Sequence, residues 1–306
     1  MTTPLVSVII PAYNAAVFIA KTLDSVKAQT FKDYEVIVVD DGSSDGTQAV
    51  VEKYFASNKM RGFCILQPNK KIAAARNTGI NSARGSYIAL LDHDDIWYPE
   101  KLKEVVGVFN SRPAIDLVCH DLKIIKNGKT YKVMRCGYRF GNLHKNLILK
   151  GNAVTPSSSV FKREKALAIG CFRELPEINT AEDYDFWIRF SKTGNFYFLH
   201  KVLSEYHIIS GGASTRIEYH LKNTEGLMME HIRNYVGPSP SWFMQLRIRK
   251  RMASLYRSAA KEFLVSKGDS EKINCYITKM MKQYPIGIKN LIIAGWGFLR
   301  KIGIKI

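Results

Sequence analysis

Three short polar clusters carry the residue types and spacings that chemistry needs: Pro11-Ala12-Tyr13-Asn14, the run Asp40-Asp41-Gly42-Ser43-Ser44-Asp45-Gly46-Thr47, and Asp92-His93-Asp94-Asp95. Adjacent carboxylates repel, and gathering them away from water is costly unless a cation compensates. Asp92 and Asp94 therefore suit Mg²⁺ or Mn²⁺, which one or two carboxylates can hold while coordination positions stay open for substrate phosphate oxygens. The same cluster would also serve as a solvated acidic loop or as a cap for the helix that follows Pro99. Likewise Asp40-Asp41-Gly42-Ser43 reads equally as a strand-ending turn, with Asp and Gly chosen for their backbone preferences.

The elements around these clusters decide whether they can meet. Leu5–Ile10 is a continuous β-branched run ended by Pro11, and Asn14–Gln29 has helical spacing. Tyr34–Val39 reads as a second strand, Thr47–Asn58 as a helix, and Phe63–Gln67 as a third strand. Ile72–Arg84 reads as a helix and Ser86–Leu91 as a fourth strand. Short apolar strands alternating with helices imply right-handed crossovers and a parallel sheet covered on both faces, an α/β sandwich. Ligands of such sheets bind beyond the carboxyl ends of the strands. All three clusters follow strands, so they are expected at one crevice although about 80 residues separate the first from the last.

Further on, Pro99–Asn110 is expected to be a helix, with Pro99 in its first turn. Ile115–Ile125 and Lys129–Met134 flank the hairpin signal Asn127-Gly128. Leu143–Gly151 reads as helical, Thr155–Phe161 as extended, Lys162–Ile169 as helical, and Glu182–Thr193 as a helix with Phe186, Trp187 and Phe190 on one side. After about Gly212 the pattern becomes helical and basic.

Composition narrows the function classes. The 306 residues are 46% hydrophobic and 24% charged, ordinary for a soluble globular protein, but the net charge is +18. Much of that excess is late: Arg216–Ile306 holds 17 Lys/Arg against 6 Asp/Glu. A basic surface calls for an anionic partner, be it nucleic acid, phospholipid headgroups or a diphosphate substrate. The five cysteines show no CxxC or zinc spacing, which points to reduced structural thiols in a cytosolic protein. The N-terminus reads as a first strand and not as a signal peptide, and no run of 18 apolar residues occurs, so a protein kept inside the cell is expected. No Walker lysine motif and no GxGxxG stands at a strand–helix junction, against P-loop enzymes and dehydrogenases. A sugar nucleotidyltransferase would show a glycine-rich loop with a basic residue after strand one, which Pro11–Asn14 lacks. A non-catalytic nucleic-acid-binding protein would fit the charge, but the acidic clusters sit where phosphates would have to bind.

The segments Ser7–Asn14 (SVIIPAYN), Glu35–Thr47 (EVIVVDDGSSDGT), Ala75–Ile80 (ARNTGI), Gly85–Leu102 (GSYIALLDHDDIWYPEKL) and Ala181–Phe190 (AEDYDFWIRF) resemble family 2 glycosyltransferases in order and spacing. The resemblance covers about residues 5–215. It implies a GT-A fold, a mainly parallel Rossmann-like sandwich followed by a basic helical region. Residues 1–215 would be the catalytic domain, with 1–100 the nucleotide-sugar-binding half and 101–215 the acceptor half, and 216–306 would be the helical region. It also implies inverting transfer of a hexose from a nucleotide-diphosphate donor, usually a UDP-sugar. Pro11, Tyr13, Asn14, Asp40 and Asp41 would then serve the nucleotide, and Arg76 would lie near it. Asp92 and Asp94 would form the DxD pair, Asp94 as direct metal ligand and Asp92 shared with the ribose. Asp183 would be the catalytic base, with Glu182 beside it. Without the other motifs, Glu182-Asp183 reads as an acidic first helical turn favoured by the helix dipole. One departure stands out: where the family often has a metal-site His, this sequence has Ile209, within Tyr206–Gly212, so either His207 or a water would fill that position.

The tail interleaves Trp242, Phe243, Arg247, Arg249, Lys250 and Arg251, and ends in Ile286–Ile306, rich in apolar residues and lysines. This pattern suits a helix lying at a bilayer interface beside anionic lipids, or else core-packing helices with a solvated basic face. The first alternative implies peripheral attachment to the inner face of the cell membrane. With the resemblance, it implies an acceptor sugar on undecaprenyl diphosphate, in O-antigen, lipopolysaccharide or capsule polysaccharide assembly.

Overall fold

A computed structural model describes residues 3–208, 217–265 and 269–301. The chain divides into two compact units, Met1–His144 with Asn152–Ser210, and Lys145–Gly151 with Gly211–Ile306. The short segment Lys145–Gly151 therefore belongs with the C-terminal helices.

In the first unit, β1 (Val6–Ala12) and β2 (Tyr34–Asp40) are buried at every residue, as strands covered on both faces must be. With β3 (Gly62–Leu66) and β4 (Tyr87–Leu90) they form a parallel array in the order β3-β2-β1-β4. Helices α1 (Ile19–Lys27), α2 (Thr47–Asn58) and α3 (Lys71–Ser82) make the crossovers. Val6, Val8 and Ile10 share a core with Ile19 and Leu23 of α1 and Val51 and Phe55 of α2. Ile9 points to the opposite face, where a Cβ on Gly79 of α3 would meet its Cγ2 at 2.4 Å, so only glycine permits that approach. Glu35 inside β2 is partnered: it accepts from the Ser7 hydroxyl at 2.7 Å and from Arg84.

The remaining strands depart from the parallel pattern. They are β5 (Ile96–Trp97), β6 (Leu117–Lys126), β7 (Lys129–Met134), β8 (Ser159–Lys162) and β9 (Phe196–Ile208). The sheet continues β4-β8-β6-β9-β5, with β7 also on β6. β8 is antiparallel to β4 and to β6, β5 is antiparallel to β9, and β9 is parallel to β6. The hairpin at Asn127-Gly128 forms as expected. Thr155–Phe161 is not extended throughout: Pro156–Ser158 is a 3₁₀ turn, held by bonds from the Ser158 amide and the Ser159 hydroxyl to the Thr155 carbonyl. The helix expected from Asn14 begins only at Ile19, because Asn14 is at φ 48° and is tied to Ser43 and Ser44.

Helix α4 (Lys101–Ser111) covers the same face as α1. The others are α5 (Leu143–Lys150), α6 (Arg163–Ala168), α7 (Glu182–Phe190), α8 (Ile217–Val236), α9 (Trp242–Val265), α10 (Ser270–Gln283) and α11 (Ile288–Lys301). Within the second unit α8, α9 and α10 bury Leu227, Met228, Met252, Ala260, Ile273 and Met280, and Phe263 stacks on Tyr276 at 5.7 Å. All five cysteines are free.

Candidate active site

Strand register brings the three clusters to one edge. Ala12 pairs with Asp40, and Ile9 pairs with Leu90, so continuing β4 by two residues sets Asp92 level with Pro11. The His93 ring confirms the alignment, its Nδ1–H donating to the Pro11 carbonyl at 3.1 Å.

A further acidic pair, Glu182-Asp183, arrives from far along the chain. α7 is fixed by an aromatic cluster in which Phe186 stacks on Phe172 at 4.2 Å and meets Phe161 at 5.3 Å. Buried Asp185 adds ion pairs to Arg173 and Arg189 at 2.5 and 2.7 Å. That anchoring presents Glu182 and Asp183 at the first turn. Arg76 of α3, only 2% exposed, bridges the two regions: it donates to Glu182 Oε1 at 2.7 Å and to Asp92 Oδ1 at 2.9 Å. Its face lies 5.4 Å from the Phe172 ring. Burial works against the guanidinium charge, but Asp92, Glu182 and Asp183 outweigh it and raise its pKa. Glu182 and Asp92 are thus joined through one cation across 90 residues of sequence.

Glu182 and Asp183 have different surroundings. Glu182 is buried, with Oε1 committed to Arg76. Asp183 is half-buried; its Oδ1 accepts from the Tyr184 amide at 2.7 Å, and Asn152 Nδ2 donates to Oδ2 at 3.3 Å. Burial, then Glu182, push the Asp183 carboxyl up to about 7, with Arg76 opposing. A carboxylate near that value can take a proton at neutral pH, which suits a general base. Glu182 is placed to position Arg76 instead.

In the nucleotide-side clusters, Asp40 is buried, with Oδ1 accepting from the Ser43 amide at 2.9 Å and Oδ2 without a partner. Asp41 is saturated: Gln67 Nε2 and the Lys70 amide donate to Oδ1 at 2.7 and 2.9 Å, and the Lys71 amide donates to Oδ2 at 2.8 Å. It secures the approach to α3, so its oxygens are committed within the chain. Asn14 ties its own loop to Ser43 and Ser44, while Tyr13, next in the chain after the Ala12 that pairs with Asp40, is 49% exposed.

The Asp92–Asp95 turn rests on residues that spacing did not single out. The Asp92 amide donates to the Ser157 hydroxyl at 3.0 Å, and the Thr22 hydroxyl donates to the carbonyls of His93 and Asp95. Asp95, fully buried, accepts the His207 amide at 3.0 Å and so fixes the end of β9. No signal for Ser157, Asn152 or Asp95 as supports exists in local sequence, because each acts across 30 residues or more. Burial raises the Asp94 pKa, with His93 opposing and Asp92 adding. A cavity of about 330 Å³ opens beside Asp94, bounded by Phe18, Lys21, Ile125 and His207.

Among the described residues no group of three or more His, Cys, Asp or Glu is placed to hold a metal. Asp92, whose Oδ1 faces Arg76, and Asp94 remain as a two-carboxylate set. That set fits a hard cation that draws its other ligands from phosphate and water. His207 lines the same cavity as Asp94, and its Nε2 lies 3.1 Å from Glu205 Oε2. Ile209 lies outside the described residues.

The profile of Glycosyl transferase family 2 matches residues 7–168, more than half of the chain. The chain belongs to that family. An uncharacterized glycosyltransferase of Rickettsia typhi is 32% identical over 212 residues, covering 66% of this chain and 63% of that protein. The match thus spans less than two thirds of the relative's length. Among solved structures, residues 1–349 of Staphylococcus aureus TarS in complex with UDP-GlcNAc superpose with a TM-score of 0.65 at 19% identity, covering 98% of this chain and 92% of that one. The mannosyltransferase PcManGT of Pyrobaculum calidifontis, in complex with GDP-Man and Mn²⁺, gives 0.59 at 18% identity, covering 98% and 89%. At these identities the structural likeness establishes the GT-A fold, and the family profile carries the assignment. Strand register and the Arg76 ion pairs bring parts of all five family-like segments to one edge of the sheet.

Proposed function

We propose that this chain is an inverting glycosyltransferase that moves a hexose from a UDP-sugar to an acceptor hydroxyl. The acceptor would be a sugar on a lipid diphosphate, in assembly of a bacterial surface polysaccharide of O-antigen or capsule type. The observation that carries the reading is the meeting of Asp92 with Glu182 of α7 through Arg76, which supports a shared site for Asp183 and the Asp92–Asp95 turn.

Asp183 would accept the acceptor proton while the acceptor oxygen bonds to the anomeric carbon and the bond to the diphosphate breaks. A single displacement inverts the anomeric configuration and needs no second carboxylate as nucleophile. Arg76 holds Asp92 and Glu182 in place. The unpartnered Asp40 Oδ2 would accept an imide N–H of uracil, satisfying a buried acceptor, and exposed Tyr13 would lie against the base. Asp92 and Asp94 would hold Mn²⁺ or Mg²⁺, which when bound stabilises charge on the leaving diphosphate. TarS takes UDP-GlcNAc and PcManGT takes GDP-Man with Mn²⁺, so both nucleotides belong in the test. The basic C-terminal region would bring the protein to the inner membrane surface, where such an acceptor resides. No helix among the described residues is long and apolar enough to cross a membrane.

The test is donor turnover with Mn²⁺, UDP-, GDP- and dTDP-sugars, and a synthetic sugar-diphosphate-lipid acceptor, followed by mass spectrometry. Product from a UDP-sugar, abolished by EDTA and reduced about 10²–10⁴-fold by Asp183→Asn, is expected. Undiminished turnover by the Asn variant would remove Asp183 from the chemistry. Turnover of a nucleotide sugar other than UDP's would remove the uracil role of Asp40.

A further inference from the structure

Helix α11 is apolar on two opposite sides. Asn290 and Ile293 are 1% and 5% exposed, and a Cβ on Gly297 would meet Ile277 Cδ1 at 2.3 Å, so this side packs against α10. Arg257 of α9 donates to Asn290 Oδ1 at 2.9 Å, and Arg300 returns to the Leu264 carbonyl at 2.9 Å, fixing the helix at both ends. Helical spacing places Ile288, Leu291 and Ile292 on the outer side, flanked by Phe298 and Trp296. There Ile288 is 76% exposed, Phe298 62% and Leu291 53%. Ile286, just before the helix, is also exposed. A helix already packed along one side gains nothing for folding from five large apolar residues along the other, and so wide an exposed patch marks a contact surface.

Charge selects the partner. No Asp or Glu follows Glu271, while Lys272–Ile306 contains seven Lys/Arg. Trp242–Lys261 in α9 contains six Lys/Arg and no acid. Exposed Lys289 borders the apolar side of α11. A second copy meeting the same face would bring these cations against themselves, with no carboxylate on the helix to offset them. At 14 residues the helix is about 21 Å long, too short to cross a bilayer of about 30 Å.

We propose that the outer face of α11 docks on an anionic phospholipid bilayer. The helix lies in the plane of the interface, with Ile288, Leu291, Ile292 and Phe298 at the acyl boundary and Lys289 among the headgroups. This assigns a surface to the membrane contact proposed above and rests on that reading for its purpose.

The full chain is floated with vesicles of phosphatidylcholine containing phosphatidylglycerol, and with phosphatidylcholine alone, in the absence of donor and acceptor. Binding to the anionic vesicles is expected, weakening as salt rises. The double variant Leu291→Glu/Phe298→Glu should lower partitioning at least about 10-fold, since it puts charge where apolar contact is needed. Val133→Glu, at an exposed apolar residue of β7, should bind as wild type does. Circular dichroism and melting establish that each variant is folded. Equal flotation of wild type and double variant, or none by wild type, overturns the proposal. So does a wild-type dimer that the double variant converts to monomer, which would make a second copy the occupant. Transfer to a water-soluble acceptor, assayed separately, reports on the transferase reading and leaves the flotation result untouched.

Discussion

Two acidic turns stand at the same edge of one sheet, Asp40–Asp45 after β2 and Asp92–Asp95 after β4, and their carboxylates are partnered in opposite ways. In the first, Asp41 accepts three hydrogen bonds, two from backbone amides. Asp45 accepts from the Ala16 amide and from Thr47; burial would raise it, but these bonds lower its pKa. Only Asp40 keeps a buried oxygen without a partner. In the second turn, Asp92 is shared with Arg76, while burial and neighbouring carboxylates raise Asp94 and Asp95. A carboxylate saturated by N–H donors builds a loop. Carboxylates crowded without enough donors are held at a cost that a bound cation can offset. The acidic residues alone look alike in both turns, and the donors around them tell the two apart.

Asparagine substitutions should separate the turns most sharply. Asp92→Asn is expected to lower turnover about 10²–10³-fold, as loss of electrostatic stabilisation at a leaving group does. Asp41→Asn instead turns an amide NH₂ toward existing donors. It should cost about 2–3 kcal/mol of stability and leave kcat of the folded fraction largely intact. Thermal melting and initial rates on the two proteins check this. Abolished turnover by Asp41→Asn at unchanged melting would break the comparison.

A smaller effect follows from pH. The Asp183 pKa is about 7 in the folded chain against an ordinary 3.8. Between those values the folded state holds a proton that the unfolded chain releases. Stability from this group is therefore full below about pH 4 and declines as pH rises toward 7. Asp183→Asn cannot titrate, so its stability relative to wild type should improve between pH 5 and pH 8. Over the same interval wild-type kcat/KM should rise as Asp183 becomes the free base. A melting difference that stays flat across this range would place Asp183 in a solvated, unperturbed setting.

What the sequence makes legible follows from interaction range. The parallel strands were readable because β1 and β2 are apolar at nearly every residue and end in polar turns, and register then fixes where those turns meet. The mixed half was not, because β9 pairs with β6 from some 80 residues away and carries Lys201, Glu205 and His207 among its apolar residues. Asp92 and Asp183 were both readable as acidic clusters, but the Arg76 bridge that joins their regions spans 106 residues to Glu182. The resemblance alone singled out Asp183 over Glu182; their different surroundings were hidden, since both occupy a first helical turn and differ only in what packs on them. Lys145–Gly151 reads as an ordinary helix end, and nothing local says which unit it joins.

The support beneath the second turn offers the smallest test. Ser157 accepts the Asp92 amide on its hydroxyl, while its carbonyl accepts Trp97 Nε1 at 2.8 Å and Lys101 Nζ at 3.1 Å. The Lys101 amine is fully buried over the Trp97 ring, where burial pushes its pKa well below the ordinary lysine value, and that carbonyl accepts its hydrogen bond. Ser157→Ala deletes the hydroxyl and keeps the carbonyl. It should therefore leave Lys101 and Trp97 in place and cost about 1 kcal/mol for the unmet Asp92 amide. If the whole of that loss appears in the transition state, turnover falls roughly fivefold. If it appears only in the melting temperature, the Asp92 turn keeps its geometry without Ser157. The 3₁₀ turn would then be a support for the Lys101–Trp97 pair, and the contrast between the two acidic turns would rest on Arg76.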